Sequence, residues 1–210
     1  AKVLQKQKFD NGAIEFEQEE IKFKLDENGK PIGVYKKARL DTHKLVEEYM
    51  LLANREVAKF IFDAIKERGK RDTGSIYRIH DIPDQERMAD LAVFVKALGY
   101  DLKNKDGKVT AKDIKSLLRQ IQGTQHEALI SSMQKAVYST KNIGHFGLAF
   151  DFYTHFTSPI RRYPDLLIQR ILQRHLVHSP FGDKEIVEFQ HIAESSTARE
   201  IDAAGAERER

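Results

Sequence analysis

The chain has 210 residues, 40% of them apolar and 32% charged, an ordinary composition that can bury a real core within one domain or slightly more. Its 35 basic and 32 acidic residues leave a net charge of only +3, too even to announce a nucleic-acid binder, so any basic surface has to come from local clustering. With no cysteine there is neither a disulfide framework nor a thiolate metal site, and no apolar run reaches the length of a membrane span or a signal-peptide core.

The chain starts on Ala1 in polar sequence, which predicts a segment of a longer protein. Residues 12–38 read as β-structure. Ala13-Ile14-Glu15-Phe16-Glu17 and Ile21-Lys22-Phe23-Lys24-Leu25 alternate apolar with charged side chains. The Glu27-Asn28-Gly29-Lys30 turn leads into Ile32-Gly33-Val34-Tyr35 and predicts a hairpin. A long helix is expected over 42–66, capped by Asp41 or Thr42, with Leu45, Tyr49, Leu52, Val57, Phe60, Ile61 and Ala64 on its apolar face. Residues 69–75 break the pattern, and Ile76-Tyr77-Arg78-Ile79-His80 is an extended segment closed by Pro83.

Three further helices are predicted over about 84–98, 111–122 and 126–137. The Asn104-Lys105-Asp106-Gly107-Lys108 loop between the first two lacks the acidic spacing and terminal Glu of a calcium loop and reads as a turn. An extended stretch over 144–156 precedes helices near 159–178 and 184–209. The fold class is α+β, dominated by helix.

The run Gly144-His145-Phe146-Gly147-Leu148-Ala149-Phe150, followed by Tyr153-Thr154-His155-Phe156-Thr157-Ser158-Pro159-Ile160-Arg161-Arg162-Tyr163-Pro164-Asp165, is the most informative. Thr157 or Ser158 can cap a helix whose first turn holds Pro159. Arg161 and Arg162 would then lie where free N–H groups and the dipole favour anions. Cations there cost some helix stability, which makes sense if the pair faces a bound phosphate. Pro164 admits a second reading, in which the helix restarts near Tyr163 and leaves both arginines in a turn. The plainer account of the arginines is pairing with nearby carboxylates. A Ser158–His155 nucleophile pair is disfavoured, since capping consumes the serine and no nucleophile elbow surrounds it.

This stretch resembles the signature of the ribonuclease II/ribonuclease R catalytic (RNB) domain, in which a His-Phe-Gly-Leu segment precedes Thr-Ser-Pro-Ile-Arg-Arg-Tyr-Pro-Asp. Gly12-Ala13-Ile14-Glu15-Phe16 with Ile21-Lys22-Phe23 is similar to that family's paired strands. Glu47-Glu48-Tyr49-Met50-Leu51-Leu52-Ala53-Asn54 is similar to its Glu-Glu-x-Met-x-x-Ala-Asn helix. Tyr77-Arg78-Ile79-His80-Asp81 and Ala203-Ala204-Gly205-Ala206-Glu207-Arg208 match further landmarks. Similarity runs over nearly the whole chain, with the ribonuclease R branch nearer, so residues 1–210 are expected to be part of one RNB catalytic domain.

The resemblance implies hydrolysis of single-stranded RNA from its 3′ end, release of nucleoside 5′-monophosphates, a cytoplasmic setting, and magnesium held by aspartates from an earlier part of the domain. Arg161 matches the catalytic arginine and would neutralise charge at the scissile phosphate. Phe16 aligns with a ring that stacks on bases, although alternation alone makes it a core residue. Glu47 aligns with a glutamate near the substrate ribose, where a carboxylate helps select RNA over DNA. By position alone it is a helix-surface acid that cannot share a face with Glu48. Glu207 matches a late glutamate that positions the terminal nucleotide, amid Arg199, Glu200, Arg208, Glu209 and Arg210. Arg162 contacts either the RNA backbone or a structural carboxylate. His145 is expected to approach RNA from its glycine-flanked loop, while Tyr77 and His80 remain unassigned.

One departure is an absence: no closely spaced aspartate run occurs. The metal ligands and the flanking OB-fold RNA-binding domains are therefore expected outside these residues, with this segment inactive by itself. The absence also sustains an alternative, a catalytically inactive RNA-binding regulator of the same fold.

Overall fold

A computed structural model describes residues 1–14, 21–69, 74–81, 92–93, 95–97, 99–100, 113, 116–117, 135–179 and 181–208. In chain order the elements are helix α1 (Lys2–Asp10), strands β1 (Ile21–Leu25) and β2 (Pro31–Lys36), helix α2 (Asp41–Glu67), and strands β3 (Tyr77–Ile79) and β4 (Val137–Ser139). A 3₁₀ turn (Phe146–Leu148) and helices α3 (Tyr163–Leu176) and α4 (Asp183–Arg208) follow. The mixed α+β class expected from the sequence is what the chain adopts.

The β1–β2 hairpin forms as predicted, antiparallel, with Phe23 opposite Val34. Asp26 Oδ1 closes the turn by accepting from the N–H groups of Asn28 (2.9 Å) and Lys30 (2.8 Å), and Gly29 supplies the left-handed residue at φ +78°. Helix α1 has no counterpart in the sequence reading. Its polar run carries no cap signal, and tertiary contact anchors it: Lys8 donates to Glu48 of α2 in a buried ion pair.

Helix α2 runs one residue beyond the predicted span at each end, but two details differ. Its N-cap is Leu40, whose N–H donates to His43 Nδ1 at 3.2 Å, in place of the expected Asp41 or Thr42. Its buried residues are Glu48, Asn54, Ala58, Ile61 and Ile65, while Leu45, Tyr49 and Phe60 are exposed. The face is rotated because Glu48 and Asn54 find partners inside, which compensates the cost of burying them.

Ile61 and Ile65 of α2 pack with Leu167, Ile168 and Ile171 of α3, Phe189 and Ala193 of α4, and Ile76 and Tyr138 of the small sheet. Strands β3 and β4 pair antiparallel with Arg78 opposite Tyr138. The extended segment at Ile76–His80 is thus confirmed. Val137, the expected end of a helix, instead opens β4, because β-branched and aromatic side chains here meet a partner strand. Helix α4 is fastened to β4 through Thr197 Oγ1, which accepts the Tyr138 N–H at 3.0 Å. Residues 135 and 136, also expected in that helix, are not helical, and the rest of the helix predicted over 126–137 lies outside the described residues, as do the 104–108 loop and most of 84–98 and 111–122.

Candidate phosphate-binding cleft

The chain between β4 and α3 is stitched to β3 before it reaches the arginines. Arg78 N–H donates to Tyr153 O at 2.9 Å, His80 N–H to Gly144 O at 3.1 Å, and Thr154 Oγ1 to Ile76 O at 2.7 Å. Gly144 sits at φ +81°, and a Cβ there would lie 3.1 Å from Phe150 O, so the tight approach requires glycine. Asn54, buried on α2, accepts the Phe156 N–H at 3.0 Å and donates to the Tyr153 hydroxyl at 3.2 Å. Gln169 of α3 holds the Phe156 carbonyl at 3.2 Å. Phe156 is therefore pinned from both sides, one residue before the turn that carries the arginines.

That turn resolves the question posed by Pro164. Helix α3 starts at Tyr163 with Arg162 as N-cap, and Pro164 sits in its first turn, where it removes no helical hydrogen bond. Thr157, Ser158 and Pro159 lie outside the helix, and the Thr157 Oγ1 is buried without a partner among the described residues. Arg162 is extended (φ −131°, ψ 119°), and its guanidinium grips Asp165 in a fork, Nε to Oδ2 and Nη2 to Oδ1, both at 2.8 Å. Asp165 is fully buried and also accepts the Ser158 N–H at 2.8 Å.

Arg161 is not part of this fork. It is exposed, and among the described residues its side chain makes no hydrogen bond or ion pair. With Tyr138, Tyr163, His191, Ser195 and Arg199 it lines a cleft of about 670 Å³ between the start of α3 and the flank of α4. Arg78 supports the far wall: it forms a two-point bridge to Glu200 of α4 (2.5 and 2.9 Å) and lies 4.6 Å from the centre of the Tyr138 ring.

Behind the cleft stands a column of rings: His80 against His145 (5.1 Å), His145 against Tyr153 (5.3 Å), Tyr153 against His155 (5.7 Å) and His155 against Tyr138 (5.5 Å). His155 Nδ1 is 2.7 Å from the Tyr138 hydroxyl, so this imidazole is engaged away from Ser158 and the two form no nucleophile pair. Burial, reinforced by the Arg162 and Arg78 charges, pushes the His155 pKa down to about 2. Burial, then His80 and Arg78, takes His145 down to about 3, while burial raises Tyr138 to about 12. At neutral pH the column carries no charge at these three groups.

Of the expected site residues, Arg161 and Arg162 line the cleft, although Arg162 is committed to Asp165. Glu207 is exposed and lies one helical turn beyond the cleft-lining Ala203, on the same stripe of α4. Glu47 is half-buried, paired with Arg39, and absent from the cleft lining; its neighbour Glu48 is the buried acid. His145 does not reach outward from its loop: its Nδ1 accepts the Leu148 N–H at 3.3 Å and its ring packs in the column. Phe16 lies outside the described residues. Sequence reasoning did not single out Asp165, Asn54, Tyr138 or the Ser195–Arg199 wall. Asp165, three residues after Arg162, was the detectable one, since an i,i+3 pairing at a helix start is a local signal.

The RNB domain family model matches residues 1–178. The chain is 37% identical to ribonuclease R of Thermotoga maritima over 90% of its own length and 26% of that protein's. It superposes on Mycoplasma genitalium RNase R, solved in complex with double-stranded RNA, with a TM-score of 0.85 and 28% identity over 99% of this chain and 38% of that one. Yeast Ssd1, described as a pseudonuclease, shares the fold at 22% identity, with a TM-score of 0.61 over 76% of this chain and 20% of that one. The chain thus spans about a quarter of the length of the curated relatives it matches.

Proposed function

This chain belongs to the RNB family, and we propose that it forms the phosphate-gripping part of a processive, hydrolytic 3′→5′ exoribonuclease that releases nucleoside 5′-monophosphates from single-stranded RNA. The observation that carries this reading is Arg161: an exposed guanidinium without a hydrogen-bond or ion-pair partner among the described residues, opening on a cleft of about 670 Å³, a size suited to a nucleotide. An arginine on a fixed backbone presents a planar fork to phosphate oxygens without reorganising as charge builds up. Tyr163 and Tyr138 add aromatic surface, and the Ser195 and Arg199 side chains of α4 add polar contacts on the opposite wall. Glu207, one helical turn beyond the cleft-lining Ala203, would contact the terminal nucleotide in this reading.

The setting would be cytoplasmic, and a divalent cation, magnesium, would activate water in the whole enzyme. Among the described residues no three His, Asp or Glu side chains gather as a metal seat, so these residues do not fit the ion. Their contribution is to bind, orient and neutralise the phosphate.

The test is a labelled RNA assay on the full-length protein with and without Mg²⁺. Stepwise mononucleotide release from the 3′ end is expected, and a chelator should stop it. The 210-residue chain alone should show no magnesium-dependent degradation. Full-length protein that binds RNA yet leaves it intact at saturating Mg²⁺ would favour the alternative, a metal-free RNA-binding regulator of the same fold.

A further inference from the structure

The turn that presents Arg161 receives no help from the hydrophobic effect at its tip. Ile160, its one large apolar side chain, is fully exposed. Within the turn, the N–H groups of Arg161 and Arg162 share the Ser158 carbonyl, at 3.3 and 3.2 Å, at the long end of the usual range. The entry is pinned at Phe156 by Asn54 and Gln169. Among the described residues, the side-chain restraints on the rest of the turn converge on one group. The Asp165 carboxylate accepts from the Ser158 N–H at the start of the turn and from the Arg162 guanidinium at its end, three bonds of 2.8 Å at a fully buried site.

We propose that Asp165 is a positioning residue for catalysis: by clamping Ser158 and Arg162 together, it fixes the backbone between them and aims the Arg161 guanidinium into the cleft. This rests on the reading of Arg161 as the group that neutralises the scissile phosphate. The two adjacent arginines then divide the work. Arg162, extended at the N-cap, is used up by Asp165, so this carboxylate is not left for Arg161, and the cleft's Glu200 is bridged by Arg78. Charge-assisted, bidentate bonds at a buried carboxylate are among the strongest restraints a turn can have, and Asp165 in the first turn of α3 is favourable to the helix dipole as well.

The experiment is a double-mutant cycle on the full-length protein, reading kcat, KM and RNA affinity. Asp165→Asn keeps the size and one acceptor but sets an amide donor against an Arg162 N–H. It should lower kcat by about ten- to a hundredfold, the order of loss that an ångström of misplacement causes, with RNA affinity and KM nearly unchanged. The combination with Arg161→Ala should be no slower than Arg161→Ala alone, to within about twofold, because Asp165 acts through Arg161. Multiplying losses would overturn the assignment, since a general structural role would weaken both backgrounds alike. If Asp165→Asn does not fold, Arg162→Lys carries the same cycle: it keeps the charge, loses the fork, and should cost about tenfold in kcat, again without additivity. A large loss in Arg161→Ala beside unchanged kcat in Asp165→Asn or Arg162→Lys overturns only the role of Asp165. Unchanged kcat in Arg161→Ala overturns the reading beneath it.

Discussion

Arg161→Ala in the full-length protein is expected to lower turnover by about a hundred- to a thousandfold, the usual consequence of losing one preorganised group that stabilises developing charge. RNA affinity should change by only a few-fold, because many other contacts along a bound strand remain. The melting temperature should stay put: Arg161 is exposed and has no intramolecular partner among the described residues, so truncation leaves nothing buried and unpaired. Arg162→Ala, one residue away, should differ in stability: besides the loss of kcat expected when the Asp165 fork is broken, it should weaken the fold. It strips the fork from a fully buried carboxylate and should destabilise the fold by roughly 3–5 kcal/mol, as breaking a buried pair by removing one partner does. Thermal melting and single-turnover kinetics on the two variants separate these outcomes. Normal turnover by Arg161→Ala would remove the residue from the chemistry.

Stability should fall as the solution is acidified from pH 6.5 to 5, before most carboxylates titrate. The cause is the ring column. His145 and His155 are held neutral by burial, with pKa values of about 3 and about 2, whereas in the unfolded chain they titrate near the ordinary histidine value. Their folded pKa values lie below the unfolded one, so the unfolded state takes up protons first. Stability from this source is fully present above about pH 6.5 and is lost as pH falls towards the folded values. Each histidine contributes about 1.4 kcal/mol per pH unit over that range. His175, buried near the end of α3 and lowered by burial and by Arg68, adds in the same direction. Urea midpoints measured between pH 7 and pH 5 should fall steadily, and His155→Gln should make the decline shallower. A flat profile would mean that the column is solvated.

The cleft and the column are linked through Tyr138. Its ring lies under Arg78, its hydroxyl meets His155, its N–H is held by Thr197 of α4, and it lines the cleft. A neutral column matters to this arrangement, because a charged His155 would face the Arg78 and Arg162 guanidiniums and push against the wall they support.

Much was legible in the residues alone. Alternating strands and an Asn-Gly turn determined the β1–β2 hairpin, because both signals act over two to four residues and need no distant partner. Periodicity found α2, helices were expected near 159–178 and 184–209 where α3 and α4 stand, and the long Gly144–Asp165 motif carried the family. Arg161 was singled out for the same reason, its place within that motif.

Tertiary structure decided the rest, wherever a residue's role depends on a partner far along the chain. Helix α1 exists against α2 through Lys8 and Glu48, forty positions apart. Strand β4 needs β3, and the buried face of α2 turns towards Glu48 and Asn54 because partners wait for them inside. The proline at 164 was compatible with either helix start, and the choice fell to the carboxylate of Asp165, which secures the turn and separates two otherwise identical arginines into one that is paired and one that lies exposed at the cleft. Local chemistry names the candidate side chains. Only the folded chain, by pairing Arg162 with a buried carboxylate and leaving Arg161 exposed at a cleft, selects among them.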